Sequence, residues 1–127
     1  MRGVTYDTGA LIAADRNDRE MWALHAGFLA EEAVITVPSP VVAEAWRGGG
    51  RQANLSRLLA LCSVEELSYE QARRVGVLAG KAAHDDIVDA TVVEGALRRR
   101  DAVITSNPTH IAAIADAVGA RLVIETV

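Results

Sequence analysis

Apolar residues in this chain fall by turns into short β-prone runs and longer stretches with helical spacing. Val4-Thr5-Tyr6 ends at Asp7, and Thr8-Gly9-Ala10-Leu11-Ile12-Ala13-Ala14 follows, which predicts a strand feeding a helix. Asp18 can cap a second helix, in which Met21, Leu24, Phe28 and Leu29 recur at helical spacing before Glu31-Glu32 ends the stretch. Residues 33–37 form the next β-prone run. Pro38-Ser39-Pro40 then supplies a stop, a capping Ser39 and a proline at the first helical position, opening a helix to about Arg47 that Gly48-Gly49-Gly50 breaks.

Leucines at 55, 58, 59 and 61 predict a helix over residues 51–62, followed by a strand around 63–67. Ser68 and Gln71 match a capping box, so another helix should run to about Ala83. His84-Asp85 is expected to start a helix reaching about Arg100. Residues 102–105 predict a strand, Asn107-Pro108 a helix that ends at Gly119, and residues 121–125 a last strand. Strands separated by helices indicate an α/β sandwich with a mostly parallel sheet of four or five short strands. No internal repeat or linker interrupts the pattern.

Composition narrows the class. In 127 residues, half are apolar and 24% are charged with mixed sign, which suits one domain over residues 1–127 and leaves no room for a second. Ten glycines and three prolines argue against collagen-like or disordered chains. The longest apolar stretches, such as 33–38, fall far short of the roughly 20 residues that cross a bilayer. The N-terminal residues lack the pattern of a signal segment, so a cytosolic location is expected. Cys62 is the only cysteine and reads as a small buried hydrophobe, since no disulfide or thiolate metal site can be built from it within one chain. A net charge of −4 argues against a broad nucleic-acid-binding face.

The carboxylates carry more information. In an open parallel sheet, ligands sit at the carboxyl ends of the strands, where the following helices begin. Asp7, Glu44, Asp86, Asp89 and Asn107 all fall at that edge by topology. Asp85, Asp86 and Asp89 also suit the N-terminal end of a helix whose other end carries Arg98-Arg99-Arg100, and for Asp85 that account suffices. Asp89 differs: on a helical wheel it lies beside Val92, Val93 and Ala96, while Thr91, Glu94 and Arg98 mark the solvent side. Asp86 lies at the edge of the apolar arc, near Ala90 and Leu97. A carboxylate on a buried stripe must be paired, protonated or bound to a metal. Taken singly, Asp7 could simply cap the next helix and Glu44 could be a surface residue. As a set without a Cys/His cluster, the acids make an oxygen-ligand site suited to Mg²⁺ or Mn²⁺, ions that activate water and stabilise phosphoryl displacement.

Four segments in order, Val4 to Ile12, Ser39 to Glu44, Asp86 to Val93 and Val103 to Pro108, resemble the successive motifs of PIN-domain ribonucleases, especially the VapC toxins of bacterial toxin–antitoxin pairs. The resemblance spans nearly the whole chain. It implies a PIN-like three-layer sandwich, an endoribonuclease dependent on Mg²⁺ or Mn²⁺, a cognate antitoxin inserting a peptide or helix into the active-site groove, and a homodimer. Asp7 and Asp89 would be the principal metal ligands, with Glu44 completing the acidic site and Asp86 assisting. Thr8 and Ser106 would orient carboxylates through their hydroxyls. Asn107 is the departure, because the family commonly has a fourth acid there. An amide oxygen can ligate or position water but brings no charge, which lowers metal affinity.

The expected chemistry is hydrolysis of an RNA phosphodiester by metal-activated water, leaving 5′-phosphate and 3′-hydroxyl ends and needing no catalytic histidine. His25, His84 and His110 are accordingly given no role. Arg16, Arg47 and Arg51 are candidates for RNA contact, whereas Arg73-Arg74 and Arg98-Arg99-Arg100 read as solvated faces or helix C-terminal charges. Trp46 can anchor an antitoxin or second subunit, and Trp22 reads as core. One alternative is a PIN-like module, weakened or inactivated at Asn107, that binds a protein or RNA without cleaving. Another is phosphotransfer through Asp7. Against it, a phosphatase of the dehalogenase type would place a second acid where Gly9 stands, and a receiver domain needs a lysine after a late strand, whereas Lys81 falls in a helix.

Overall fold

The computed structural model describes residues 3–127. Its elements are β1 (Val4–Tyr6), α1 (Thr8–Asp15), α2 (Arg19–Ala30), β2 (Ile35–Pro38), α3 (Ser39–Ala45), a 3-10 turn (Gly50–Gln52), α4 (Ala53–Leu59), β3 (Ser63–Glu65), α5 (Tyr69–Ala82), α6 (Ile87–Arg99), β4 (Ala102–Thr105), α7 (Pro108–Ala117) and β5 (Ile124–Thr126). The five strands form one sheet in the order β3-β2-β1-β4-β5, and every pairing is parallel. Strands β1, β2 and β4 are buried along their whole length, as short continuous β-branched runs should be when both sheet faces are covered.

Parallel neighbours require crossover helices, and right-handed crossovers set two helical layers on opposite faces. Helix α1 packs with α2, α3 and α4 in one layer, and α5, α6 and α7 pack together in the other. From β1 the chain moves outward to β2, whereas from the adjacent β4 it moves the opposite way to β5. The carboxyl ends of β1 and β4 therefore flank a topological switch point, the usual place for a ligand crevice in such sheets.

Helix α6 lies against β1, β2 and β4 as well as α3, α5 and α7. It is consequently buried on all sides from Asp89 to Ala96, and the wheel's assignment of Thr91 and Glu94 to solvent is corrected. Thr91 returns its hydroxyl to the Ile87 carbonyl (2.7 Å). Glu94 meets Gln71 Nε2 (2.9 Å), Arg74 Nε (3.1 Å) and Arg98 Nε (3.0 Å). Burial pushes its carboxyl up, but the hydrogen bonds from Arg98, Gln71 and Arg74 outweigh this and hold it below the usual range. Arg98 also pairs with Glu65, and Arg99 with Asp101; Arg98 is exposed as the wheel expected, yet both arginines tie helix α6 to its neighbours through buried or half-buried carboxylates.

Several boundaries move for local reasons. Ser39 lies inside α3 behind Pro38, and its hydroxyl accepts from the Leu67 amide instead of capping the helix. The helix expected over 51–62 divides into the 3-10 turn and α4. Ser68 does cap α5, although Gln71 spends its side chain on Glu65 and Glu94. The last strand begins at Ile124. Trp22 is half-buried, packs on the core edge and donates to the Ala14 carbonyl, while buried His25 bonds the Tyr6 hydroxyl (2.8 Å). Cys62 is partly buried, and burial pushes its thiol up to about 12. No helix among the described residues is long and apolar enough to cross a membrane.

Candidate active site

Asp7 stands where β1 becomes α1, in extended conformation, and only 5% of it is exposed. One carboxylate oxygen accepts the Thr8 amide (2.8 Å) and the other the Thr105 hydroxyl (2.7 Å). The capping and functional readings of Asp7 thus describe the same geometry. Thr105, and not Ser106, orients this carboxylate. The Asp7 amide pairs with the Ile104 carbonyl, which sets the next residue of β4 beside the Asp7 side chain. Ser106 is exposed and packs against Gly9, where a Cβ would collide with its side chain and backbone nitrogen.

The second acidic group comes from the start of α6. The helix begins at Ile87, later than the expected His84-Asp85, because α5 ends in a left-handed Ala83 and Asp86 takes the extended conformation of a cap. Asp86 is exposed and accepts the Asp89 amide (3.1 Å). Asp89 is 8% exposed. Burial raises its carboxyl above the usual range, opposed by the hydrogen bond from His84 and reinforced by the negative Asp86. Burial also raises Asp7, against the bonds from Thr105 and Thr8 and with added repulsion from Asp89 and Asp86.

Glu44 sits near the end of α3 and not in its opening turns; it is exposed, and the Thr8 hydroxyl donates to it (2.6 Å). Asn107 precedes α7. Its amide N–H donates to Thr105 Oγ1 (2.9 Å), and its side-chain Nδ2 lies 2.8 Å from His110 Nδ1. Asp7, Glu44, Asp86 and Asp89 line one pocket of about 270 Å³, with Thr8, Ser106 and Asn107 on its walls. Arg16, Arg47 and Arg51 are exposed outside this lining, and the Arg47 guanidinium donates to the Ala43 and Trp46 carbonyls.

The histidines are what sequence reasoning missed. His84 Nε2 lies 3.2 Å and His110 Nδ1 3.7 Å from the same oxygen of Asp89, and the two rings meet edge to face at 5.7 Å. The available signal was proximity in sequence, His84 five positions before Asp89 and His110 three after Asn107.

Among the described residues, no lysine or arginine lines the pocket, so its four carboxylates meet no strong cation from the chain. The two buried acids are held above the usual range mainly by desolvation, with repulsion from Asp89 and Asp86 added at Asp7 and from Asp86 at Asp89. Hard, anionic oxygen donors with no strong cation beside them have the chemistry that a divalent cation such as Mg²⁺ or Mn²⁺ favours, and Asp7 and Asp89 are the buried members of the set.

A parallel five-stranded sheet with helices on both faces and acids at the switch point defines the PIN-like sandwich. Comparison with solved structures finds the same fold. The chain superposes on one from VapBC2 of Rickettsia felis bound to a DNA fragment from their promoter, with a TM-score of 0.73, 16% identity and 98% of each chain covered. A chain of DNA-bound VapBC from Salmonella typhimurium gives 0.72 at 18% identity, covering 99% of this chain and 98% of that one. One from FitAB bound to an IR36 DNA fragment gives 0.68 at 14%, covering 97% and 94%. No family model and no curated protein matches the chain by sequence.

Proposed function

We propose that this chain is a metal-dependent endoribonuclease of the PIN-domain type and the toxin of a toxin–antitoxin pair. The observation that carries the reading is the four-carboxylate pocket at the β1/β4 switch point, in a fold shared with chains of VapBC and FitAB. Asp7 and Asp89 hold Mg²⁺ or Mn²⁺, and Glu44 and Asp86 extend the negative surface around it. Thr105 fixes the rotamer of Asp7, and Thr8 engages one oxygen of Glu44 while leaving the other for water. The bound ion supplies activated water and neutralises charge developing on the scissile phosphate. Arg16, Arg47 and Arg51 contribute phosphate contacts. Trp46, 41% exposed, offers an anchor for a cognate antitoxin, the kind of partner suggested by the VapBC and FitAB structures, and a homodimer is the expected assembly.

The test is incubation of the purified, partner-free chain with total RNA and Mg²⁺ or Mn²⁺, with EDTA and Asp89→Asn as controls, followed by mapping of the ends. Cleavage that needs metal, disappears in the variant and leaves 5′-phosphates is the expected result. Intact RNA with a folded chain would instead favour the binding-module reading, to which uncharged Asn107, engaged by His110, lends support. Asn107→Asp would then separate a weakened enzyme from a module that only binds.

A further inference from the structure

We propose that His84, Asp89 and His110 form a second cation site, for a transition-metal ion of the Zn²⁺ class, at the rim of the carboxylate pocket. One ligand atom from each of the three lies within 4.8 Å of the other two. A tetrahedral site with bonds of about 2.0–2.1 Å sets its ligand atoms roughly 3.3–3.4 Å apart. The 3.2 Å from His84 Nε2 to Asp89 Oδ2 meets that spacing, the 3.7 Å from His110 Nδ1 needs a few tenths of an ångström of closure, and the two imidazole nitrogens, within 4.8 Å of each other, close by at most roughly 1.5 Å through rotation of the exposed His110. Two imidazole nitrogens and one carboxylate oxygen suit Zn²⁺ or Co²⁺ better than Mg²⁺, which favours oxygen donors.

The three ligands come from three separately anchored segments. His84 follows the left-handed end of α5, with its amide bonded to the Ala79 carbonyl. Asp89 lies in the first turn of α6, and His110 in the first turn of α7. Asn107 Nδ2, 2.8 Å from His110 Nδ1, engages the lone pair that would ligate, so metal binding requires the Asn107 amide to turn aside. The His110 side chain is 57% exposed, so the site opens to solvent and a water can complete the coordination. The chain's third histidine, His25, is buried against Tyr6 and does not compete. The consequence for activity rests on the nuclease reading: an ion at this site takes Asp89 Oδ2 and opposes cleavage supported by Mg²⁺ or Mn²⁺.

The experiment uses the untagged, metal-stripped chain, titrated with Zn²⁺ against a chromophoric chelator and with Co²⁺ by visible absorption, while Mn²⁺ binding is followed by electron paramagnetic resonance. One Zn²⁺ per chain and the intense visible bands of low-coordinate Co²⁺ are expected. The double variant His84→Ala/His110→Ala should lose more than about tenfold in Zn²⁺ affinity yet keep its circular dichroism and its Mn²⁺ binding. Asp7→Asn should give the reverse, weakened Mn²⁺ and retained Zn²⁺. If the double variant unfolds, exposed His110 is replaced alone and should still lower Zn²⁺ affinity. Zn²⁺ binding untouched by the histidine variants, or lost in step with Mn²⁺ in Asp7→Asn, overturns the proposal. No arm reads RNA cleavage, so failure of the nuclease reading is separately visible.

Discussion

The Thr105 hydroxyl donates to Asp7 Oδ2 over 2.7 Å, joining residues 98 positions apart in the chain. The same hydroxyl accepts the Asn107 amide, so one oxygen at the end of β4 couples the first acid of the pocket to the loop that opens α7. With Thr8 N–H on its other oxygen, Asp7 is held in one rotamer at a buried position. That geometry keeps out of water a carboxylate that has hydrogen bonds but no strong cation beside it.

Replacing Asp7 with Asn should therefore stabilise the metal-free protein. The amide retains the cap on Thr8 and can still pair with Thr105, while the charge that burial and Asp89 disfavour is gone. A gain on the order of 1 kcal/mol, seen as a melting temperature several degrees higher at pH 7, is expected. Because the folded carboxyl of Asp7 lies above its usual 3.8, it takes up a proton in the folded state first as pH falls. The native chain thus gains relative to the variant, and the gap closes toward pH 3.8. Calorimetry from neutral to acid pH checks this, and a variant that melts lower at pH 7 would count against it.

Gly9→Ala should damage the site through packing alone. A Cβ there would stand 2.6 Å from Ser106 Cβ and 2.8 Å from Ser106 N, and backbone cannot move aside as a flexible side chain can. The loop after β4 must shift, at about 1–3 kcal/mol. Gly27→Ala in α2 is the control, because its Cβ meets nothing within 4 Å and the change should stabilise by about 0.5–1 kcal/mol. Urea unfolding of the two variants should give opposite signs.

Glu94→Gln tests the tie between α5 and α6. The folded carboxyl lies below its usual 4.5, so its contribution is fully present above 4.5 and is lost as pH falls through the lowered folded value. Arg74 and Arg98 are 48% and 37% exposed, and solvent screening limits the loss. It should be about 1–2 kcal/mol at pH 7. The deficit should shrink below pH 4.5, as measured by chemical denaturation across pH. A deficit independent of pH would show that shape, and not charge, is what Glu94 supplies.

Local patterning settled the order of strands and helices along the chain, the parallel sheet and the edge at which Asp7, Asp86 and Asp89 gather, whereas Glu44 joins them from the far end of α3. These follow from local periodicity, capping chemistry and the rule that crossover helices return every strand in the same direction. It did not determine that Thr105 rather than Ser106 holds Asp7, that His84 and His110 share an oxygen of Asp89, or that Glu94 is interior. A helical wheel separates one face of a helix from the other, and α6 has no solvent face over its buried stretch because three strands and three helices enclose it. The choice of hydroxyl depended on the register of β4 against β1, which placed Ile104 opposite Tyr6 and so Thr105 next to Asp7. Such pairings join residues far apart in the chain, and only the packed tertiary structure brings them within hydrogen-bonding reach.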